Sequence, residues 1–107
     1  MSYQVLLVAE AEEDVFDIYR YVLSSDGRAR ADHVLGKLQE TCRSLARMPR
    51  KGHVPPELER IGVRGYLEIH FKPYRVIYQV VGRKVFVHCV LDGRRALQDV
   101  LERRLLR

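Results

Sequence analysis

The chain has 107 residues, of which 47% are hydrophobic and 31% are charged. This length fits one compact domain, assigned to residues 1–107, and the composition is typical of a soluble globular protein. No apolar run is long enough to span a membrane, and the segment after "MSYQVLLV" turns acidic, so we expect neither a membrane segment nor a signal peptide. The formal net charge of +5 favours an anionic partner: a nucleic acid, an acidic protein segment or anionic lipid.

The sequence contains two cysteines, Cys42 and Cys89, and neither shares a short motif with the other or with a histidine. Both fall at positions that the apolar pattern places in a core, where a free cysteine behaves as a small hydrophobic residue. We therefore expect two free thiols in a reducing compartment, which predicts a cytoplasmic protein.

The first half of the chain predicts a strand followed by two helices. The apolar run "YQVLLV" at 3–8 is typical of a covered strand. From Ala11 onward the apolar residues recur at helical spacing, and a second such run ends before Pro49, because the residue preceding a proline avoids helical geometry. The segment "SSDGR" at 24–28 is predicted to be the turn between the helices. Two amphipathic helices joined in this way form an αα-hairpin.

The second half predicts a basic loop, three strands and a final helix. Residues 49–65 carry five basic side chains against two acidic ones, and their prolines and glycines are typical of a loop. Three apolar runs predict strands at 66–71, 74–81 and 84–91. The last helix is predicted to begin near Arg94.

The turn between the last two strands fixes their predicted pairing. Gly82-Arg83 suits a two-residue hairpin turn with glycine at the first position. The resulting predicted pairs are Val80 with Val85, Tyr78 with Val87, Val76 with Cys89, and Tyr74 with Leu91. One face of the sheet is then apolar and should pack on the helices, while the other is predicted to be a concave polar face rimmed by arginines and bearing Glu68, His70, Arg75 and His88.

Two long segments make the chain recognisable. "VPPELERIGVRGYLEIHFKPYRVIYQV" and "VLDGRR", in this order and after a strand and a helical hairpin, resemble the RelE/ParE superfamily of toxins from bacterial type II toxin–antitoxin systems, and most of all its ParE branch. The resemblance implies an α+β fold in which an N-terminal strand and a helical hairpin pack on a small, mainly antiparallel sheet, with a C-terminal helix. It also implies a cognate antitoxin whose acidic C-terminal segment wraps the toxin.

The RelE branch of this superfamily cleaves messenger RNA on the ribosome without a metal. Such cleavage needs a proton acceptor, a cation at the phosphate and an acid for the leaving oxygen. Arg75 and Arg95 match arginines of that branch, and a nuclease would add Glu68 and His88 to the catalytic set.

The chain departs from the nuclease pattern at two positions. The strand at 66–71 has no lysine where RelE-like enzymes carry a lysine pair, and Leu101 stands where they carry a tyrosine. Leucine cannot transfer a proton. ParE-like toxins also lack this set and inhibit DNA gyrase, so the first interpretation is a gyrase inhibitor and not an enzyme. The candidate residues for contact with the target or the antitoxin are Arg60, Arg64, Arg75, Arg94 and Arg95.

Other interpretations remain open at this point. The ribosome and its messenger RNA are the alternative target, and a decayed toxin that binds only its antitoxin is a third possibility. Arg75 is equally well explained by an ion pair with Glu68 or Asp92. We expect no cofactor and no metal, because Arg75 separates His70 from His88 and no ligand-pair motif exists.

Overall fold

The computed structural model describes residues 2–95 and 97–106. A short N-terminal strand is followed by two long helices, of which the second runs into a short 3-10 turn at Ser44–Ala46. A four-residue helix, three strands and a final helix follow. The elements are β1 (Gln4–Leu7), α1 (Ala9–Asp26), α2 (Arg28–Arg43), α3 (Pro56–Glu59), β2 (Leu67–Phe71), β3 (Tyr74–Val81), β4 (Lys84–Asp92) and α4 (Gln98–Leu105). Within the described residues, none of these helices is both long and apolar enough to cross a membrane.

The predicted helical hairpin is confirmed, and its turn is shorter than the predicted 24–28. Gly27 alone separates α1 from α2, with φ at 90°, a left-handed conformation that glycine adopts without a steric penalty. Its amide N–H donates to the carbonyl of Leu23 at 3.2 Å, and its carbonyl accepts from Ala31 at 3.1 Å. One glycine therefore ends the first helix and begins the second.

The sheet has four strands in the order β1-β4-β3-β2. The three predicted C-terminal strands are confirmed and form an antiparallel meander, while β1 runs parallel to β4 with Val5 beside Val85. The helical hairpin covers one face, where buried Val34 and Leu38 of α2 pack with Val76 and Val87 of the sheet. This arrangement confirms the predicted fold class.

The predicted register of the last hairpin holds near the turn and fails beyond it. Val80 pairs with Val85 and Tyr78 with Val87, as predicted. A β-bulge follows, so that Ile77 pairs with Cys89, Val76 with Val90, and Tyr74 with Asp92. The predicted pairs Val76–Cys89 and Tyr74–Leu91 are therefore wrong, because His88 is one additional residue on β4 and a simple alternation does not allow for a bulge.

The bulge reverses the sheet face to which the side chains of β4 point beyond His88. Val90 turns toward the helical hairpin, while Cys89 joins a second core on the opposite face with Leu58 of α3 and with Leu97 and Leu101. The predicted concave polar face is therefore wrong, since α3 and α4 cover it. The final helix also begins at Gln98 and not near Arg94.

The second core predicts a specific stability effect. Leu101 is 0% exposed, so Leu101→Ala should lower the free energy of unfolding by about 2–5 kcal/mol through lost burial and a residual cavity. Leu106→Ala, at a position 43% exposed, is the control and should change it by less than about 0.5 kcal/mol. Urea unfolding measures both values. Similar values for the two variants would mean that α4 does not pack on the sheet.

Candidate functional site

Arg75 lies on β3, on the sheet face that carries the second core, and it forms hydrogen bonds with two carboxylates. Its Nε donates to Glu68 Oε2 at 2.6 Å and its Nη1 donates to Glu57 Oε2 at 2.6 Å. Its Nη2 donates to the other oxygen of each, at 2.7 Å to Glu57 and 2.8 Å to Glu68. Both carboxylates are thus held in bidentate geometry, the strongest form of arginine–carboxylate contact. We call Arg75, Glu57 and Glu68 the buried ion-pair cluster.

Local structure explains how the cluster forms. Glu68 lies on β2, the strand beside Arg75, and its alternation places it on the face that Arg75 occupies. Glu57 comes from α3, the short helix that begins directly after Pro55. Gly93 packs closely against the arginine, since a Cβ there would stand 3.0 Å from Cγ and Cδ of Arg75 and 2.9 Å from the carbonyl oxygen of Pro73. The glycine of "DGRR" therefore lets the segment after β4 pass over the aliphatic stem of Arg75.

The cluster is largely removed from water. The side chains of Glu68, Arg75 and Glu57 are 1%, 11% and 15% exposed. The hydrogen bond from Arg75 lowers the pKa of Glu57. The pKa of Arg75 is raised, chiefly by its hydrogen bond to Glu57 and less by that to Glu68, although burial opposes this. The interpretation of Arg75 as half of an ion pair with Glu68 is thus confirmed, and Glu57, not Asp92, is its second partner.

Two histidines also lie near the carboxylate of Glu68. His53 Nε2 lies 3.4 Å from Glu68 Oε1, and His70 Nε2 lies 3.3 Å from Glu68 Oε2. The backbone of His53 pairs with that of Glu68 at the edge of the sheet, with N···O distances of 3.1 and 2.7 Å. Sequence reasoning missed His53 and Glu57 as site residues, because both lie in the segment predicted to be a loop.

His88 is in a different environment from His70. Its Nε2 lies 2.9 Å from Gln79 Oε1, and the ring of Tyr66 meets its own edge-on at 5.7 Å. Burial and the nearby charge of Arg104 lower the pKa of His88, which favours the neutral imidazole. β3 lies between His88 on β4 and Glu68 on β2. The structure therefore brings Arg75 and Glu68 together but does not bring His88 to them.

A second ionic group satisfies the backbone at the bulge. Arg104 of α4 donates to the carbonyl of His88 at 2.8 Å and to both oxygens of Asp14 at 3.2 and 3.0 Å. Asp14 of α1 in turn accepts the N–H of Val90 at 3.0 Å. A bulge leaves such backbone groups outside the ladder, so α1 and α4 both contribute to stabilising it.

The remaining predicted arginines are on the surface. Arg60 and Arg64 are exposed after α3, and Arg94 and Arg95 are exposed after β4. Arg94 is 68% exposed and donates to Asp92 through Nε at 3.0 Å and Nη2 at 2.7 Å, which lowers the pKa of Asp92. A hydrogen bond of 3.4 Å from Gln98 of α4 to the carbonyl of Glu57 connects the two helices next to these segments, α3 and α4.

Glu57 makes stability depend on pH. Because the bond from Arg75 lowers the pKa of this carboxyl below its ordinary value of about 4.3, its contribution is fully present above that pH and is lost as the pH falls through the lowered folded-state value. We expect the free energy of unfolding of wild type to fall over this acidic interval, and to fall less in Glu57→Gln. Urea unfolding from about pH 7 to about pH 3 measures this, and the exposed Glu59→Gln is the control. Parallel curves for all three proteins would contradict the assignment.

Comparisons with known proteins agree with this fold. The family described as "ParE toxin of type II toxin-antitoxin system, parDE" matches residues 5–97. A solved structure of the chromosomal ParDE system from P. aeruginosa aligns with a TM-score of 0.71 and 16% identity, over 84% of this chain and 95% of that chain. The RelBE2 toxin–antitoxin complex from Mycobacterium tuberculosis aligns with a TM-score of 0.62 and 19% identity, over 86% of this chain and 92% of that chain. No curated protein sequence matches the chain. Since the family match covers most of its length, this chain belongs to the ParE toxin family of type II toxin–antitoxin systems.

Proposed function

We propose that this ParE-family chain, as one toxin domain of residues 1–107, inhibits DNA gyrase by binding and not by catalysis. A cognate antitoxin with an acidic C-terminal segment neutralises it. One observation carries this proposal. The Nε, Nη1 and Nη2 atoms of Arg75 all donate hydrogen bonds to Glu57 and Glu68, so the guanidinium is already committed within the fold. A binding protein needs a shaped, charged surface and no proton-transfer groups.

A ribonuclease would need Arg75 for a different purpose. To hold a phosphate, the guanidinium would have to release at least one of two bidentate carboxylates, and it is only 11% exposed. Leu101, where the nuclease branch carries a tyrosine, is 0% exposed within the second core. Of Arg75, Arg95, Glu68 and His88, which a nuclease would use, Arg95 is the one that is exposed. These features favour gyrase over the ribosome as target.

Arg75 then acts as a positioning residue for the surface arginines. It holds α3 through Glu57, and Arg60 follows α3 directly. It also supports Gly93, which immediately precedes Arg94 and Arg95. We assign contact with gyrase or its DNA to Arg60, Arg64, Arg94 and Arg95, since exposed arginines bind phosphate and carboxylate groups in bidentate geometry.

The antitoxin is supported by two independent considerations. The neighbouring solved structures are a ParDE system and a RelBE2 toxin–antitoxin complex. The net charge of +5 and the exposed arginine pair after β4 suit an acidic peptide, because opposite charge accelerates encounter and an arginine can pair with each carboxylate. The partner chemistry is thus an acidic, leucine-bearing segment that folds on the toxin.

The target prediction separates the two branches of the superfamily. Purified protein should inhibit supercoiling by gyrase and should leave messenger RNA intact on translating ribosomes. Arg60→Ala/Arg64→Ala should weaken gyrase inhibition by about tenfold, corresponding to about 1.4 kcal/mol of lost contact. Arg83→Ala/Lys84→Ala removes the same charge at the opposite end of β4 from Arg94 and is the control.

Two other outcomes have defined meanings. Codon-specific cleavage on the ribosome would overturn the proposal and give catalytic roles to Arg75, Arg95, Glu68 and His88. Absence of activity in both assays, together with tight antitoxin binding, would identify a decayed toxin.

The antitoxin prediction concerns the arginines after β4. Arg94→Ala/Arg95→Ala should lower affinity for the proposed cognate antitoxin by roughly 2 kcal/mol or more, because these side chains would form ion pairs that lose water on binding. Arg83→Ala/Lys84→Ala should bind as wild type does. Titration calorimetry in low and moderate salt measures this. Unchanged affinity in the first variant, with no dependence on salt, would place the antitoxin on another surface.

A further inference from the structure

We infer that His53, Glu68 and His70 form a binding site for one Zn²⁺ ion. Each residue offers one ligand atom, and these three atoms all lie within 4.8 Å of one another. The expectation of no metal site considered His70 with His88, whereas the structure places His70 beside His53. The inference concerns residues that the proposed gyrase contact does not use, so it stands or fails independently of that proposal.

The spacing of the ligand atoms suits zinc. A tetrahedral ion with Zn–N and Zn–O distances of about 2.0–2.1 Å places its ligand atoms about 3.3 Å apart. The nearest distances are 3.4 Å from His53 Nε2 to one oxygen of Glu68, Oε1, and 3.3 Å from His70 Nε2 to the other oxygen, Oε2. With one ligand atom taken from each residue, the three atoms lie within 4.8 Å of one another, so the exposed imidazole rings would turn toward a shared carboxylate oxygen on binding the ion. Two imidazoles and one carboxylate are ligands that zinc accepts, and imidazole favours zinc over magnesium or calcium.

The carboxylate is held in place before any ion arrives. Glu68 is 1% exposed, and Arg75 donates to both of its oxygens. Such hydrogen bonds from a surrounding shell orient a ligand and strengthen metal binding. His53 is fixed by its backbone pairing with Glu68, and its ring centroid lies 5.4 Å from that of His70.

Charge also favours a cation here. The buried ion-pair cluster contains two carboxylates and one guanidinium, so one negative charge is not balanced within it. Without Glu57, the charges of Arg75 and Glu68 would cancel, and the cluster would have no net charge to attract the ion. The surface hollow beside His70 contains Lys37, Lys51 and Glu40, so the attraction comes from the buried cluster and not from that hollow.

The site is open to solvent and lies at an edge of the sheet. The side chains of His53 and His70 are 59% and 39% exposed, so an ion can reach them from water. Three protein ligands leave the fourth tetrahedral position for a water molecule. Because β2 is an edge strand and His53 lies outside it, the ion would fasten the preceding loop over that edge and protect it from pairing with other chains.

Calorimetric titration of chelator-treated protein with Zn²⁺ tests the inference. Wild type should bind one equivalent, and His53→Ala and His70→Ala should each weaken binding by at least about tenfold. Both side chains are substantially exposed, so both variants should fold, which circular dichroism checks. His33→Ala, at an exposed position on α2, should bind as wild type does.

Co²⁺ provides a second readout of the same site. Bound to wild type in place of zinc, it should show the visible absorption of tetrahedral coordination, and the His53→Ala/His70→Ala double variant should lose it. Equal zinc affinity in wild type and the double variant would overturn the inference, as would the absence of zinc binding by folded wild type.

Discussion

The contacts of Arg75 with Glu57 and Glu68 constrain the whole of the second sheet face. Arginine keeps its proton under all conditions in which a protein folds, so a buried guanidinium has to be surrounded by acceptors. Glu68 supplies one carboxylate from the neighbouring strand, and α3 supplies the other. The four-residue helix α3 therefore has an electrostatic role as well as an apolar one, since Leu58 beside Glu57 is 0% exposed.

A second constraint connects the two cores. The bulge at His88 allows Val90 to face the helical hairpin and Cys89 to face α4. Its backbone groups are satisfied by Asp14 from one side and Arg104 from the other. The bulge, α1 and α4 are thus mutually dependent, because each stabilises polar groups that the others would leave buried without partners.

These constraints separate the internal charges from those available to a partner. Arg75 and Arg104 are committed to carboxylates inside the fold, and their side chains are 11% and 16% exposed. Arg60, Arg64 and Arg95 are exposed and face water. Arg75 holds α3 through Glu57 and packs under Gly93, so the buried charges help to fix where the segments that follow α3 and β4 lie.

The sequence by itself determined the order of the elements other than α3, the α+β class and the turn at Gly82-Arg83, because apolar periodicity and turn residues act over a few neighbouring positions. The family followed from the resemblance of two long segments to the RelE/ParE superfamily. The sequence also placed Arg75 and Glu68 on the same face of the sheet, since strand alternation is local, but it left Asp92 as an equal candidate for the partner of Arg75. Only the tertiary structure decided that Glu57, 18 residues away, completes the cluster, that His53 meets His70, and that Cys89 faces the second core. A bulge and the path of a loop follow from packing between distant segments, and no local pattern in the sequence records that packing.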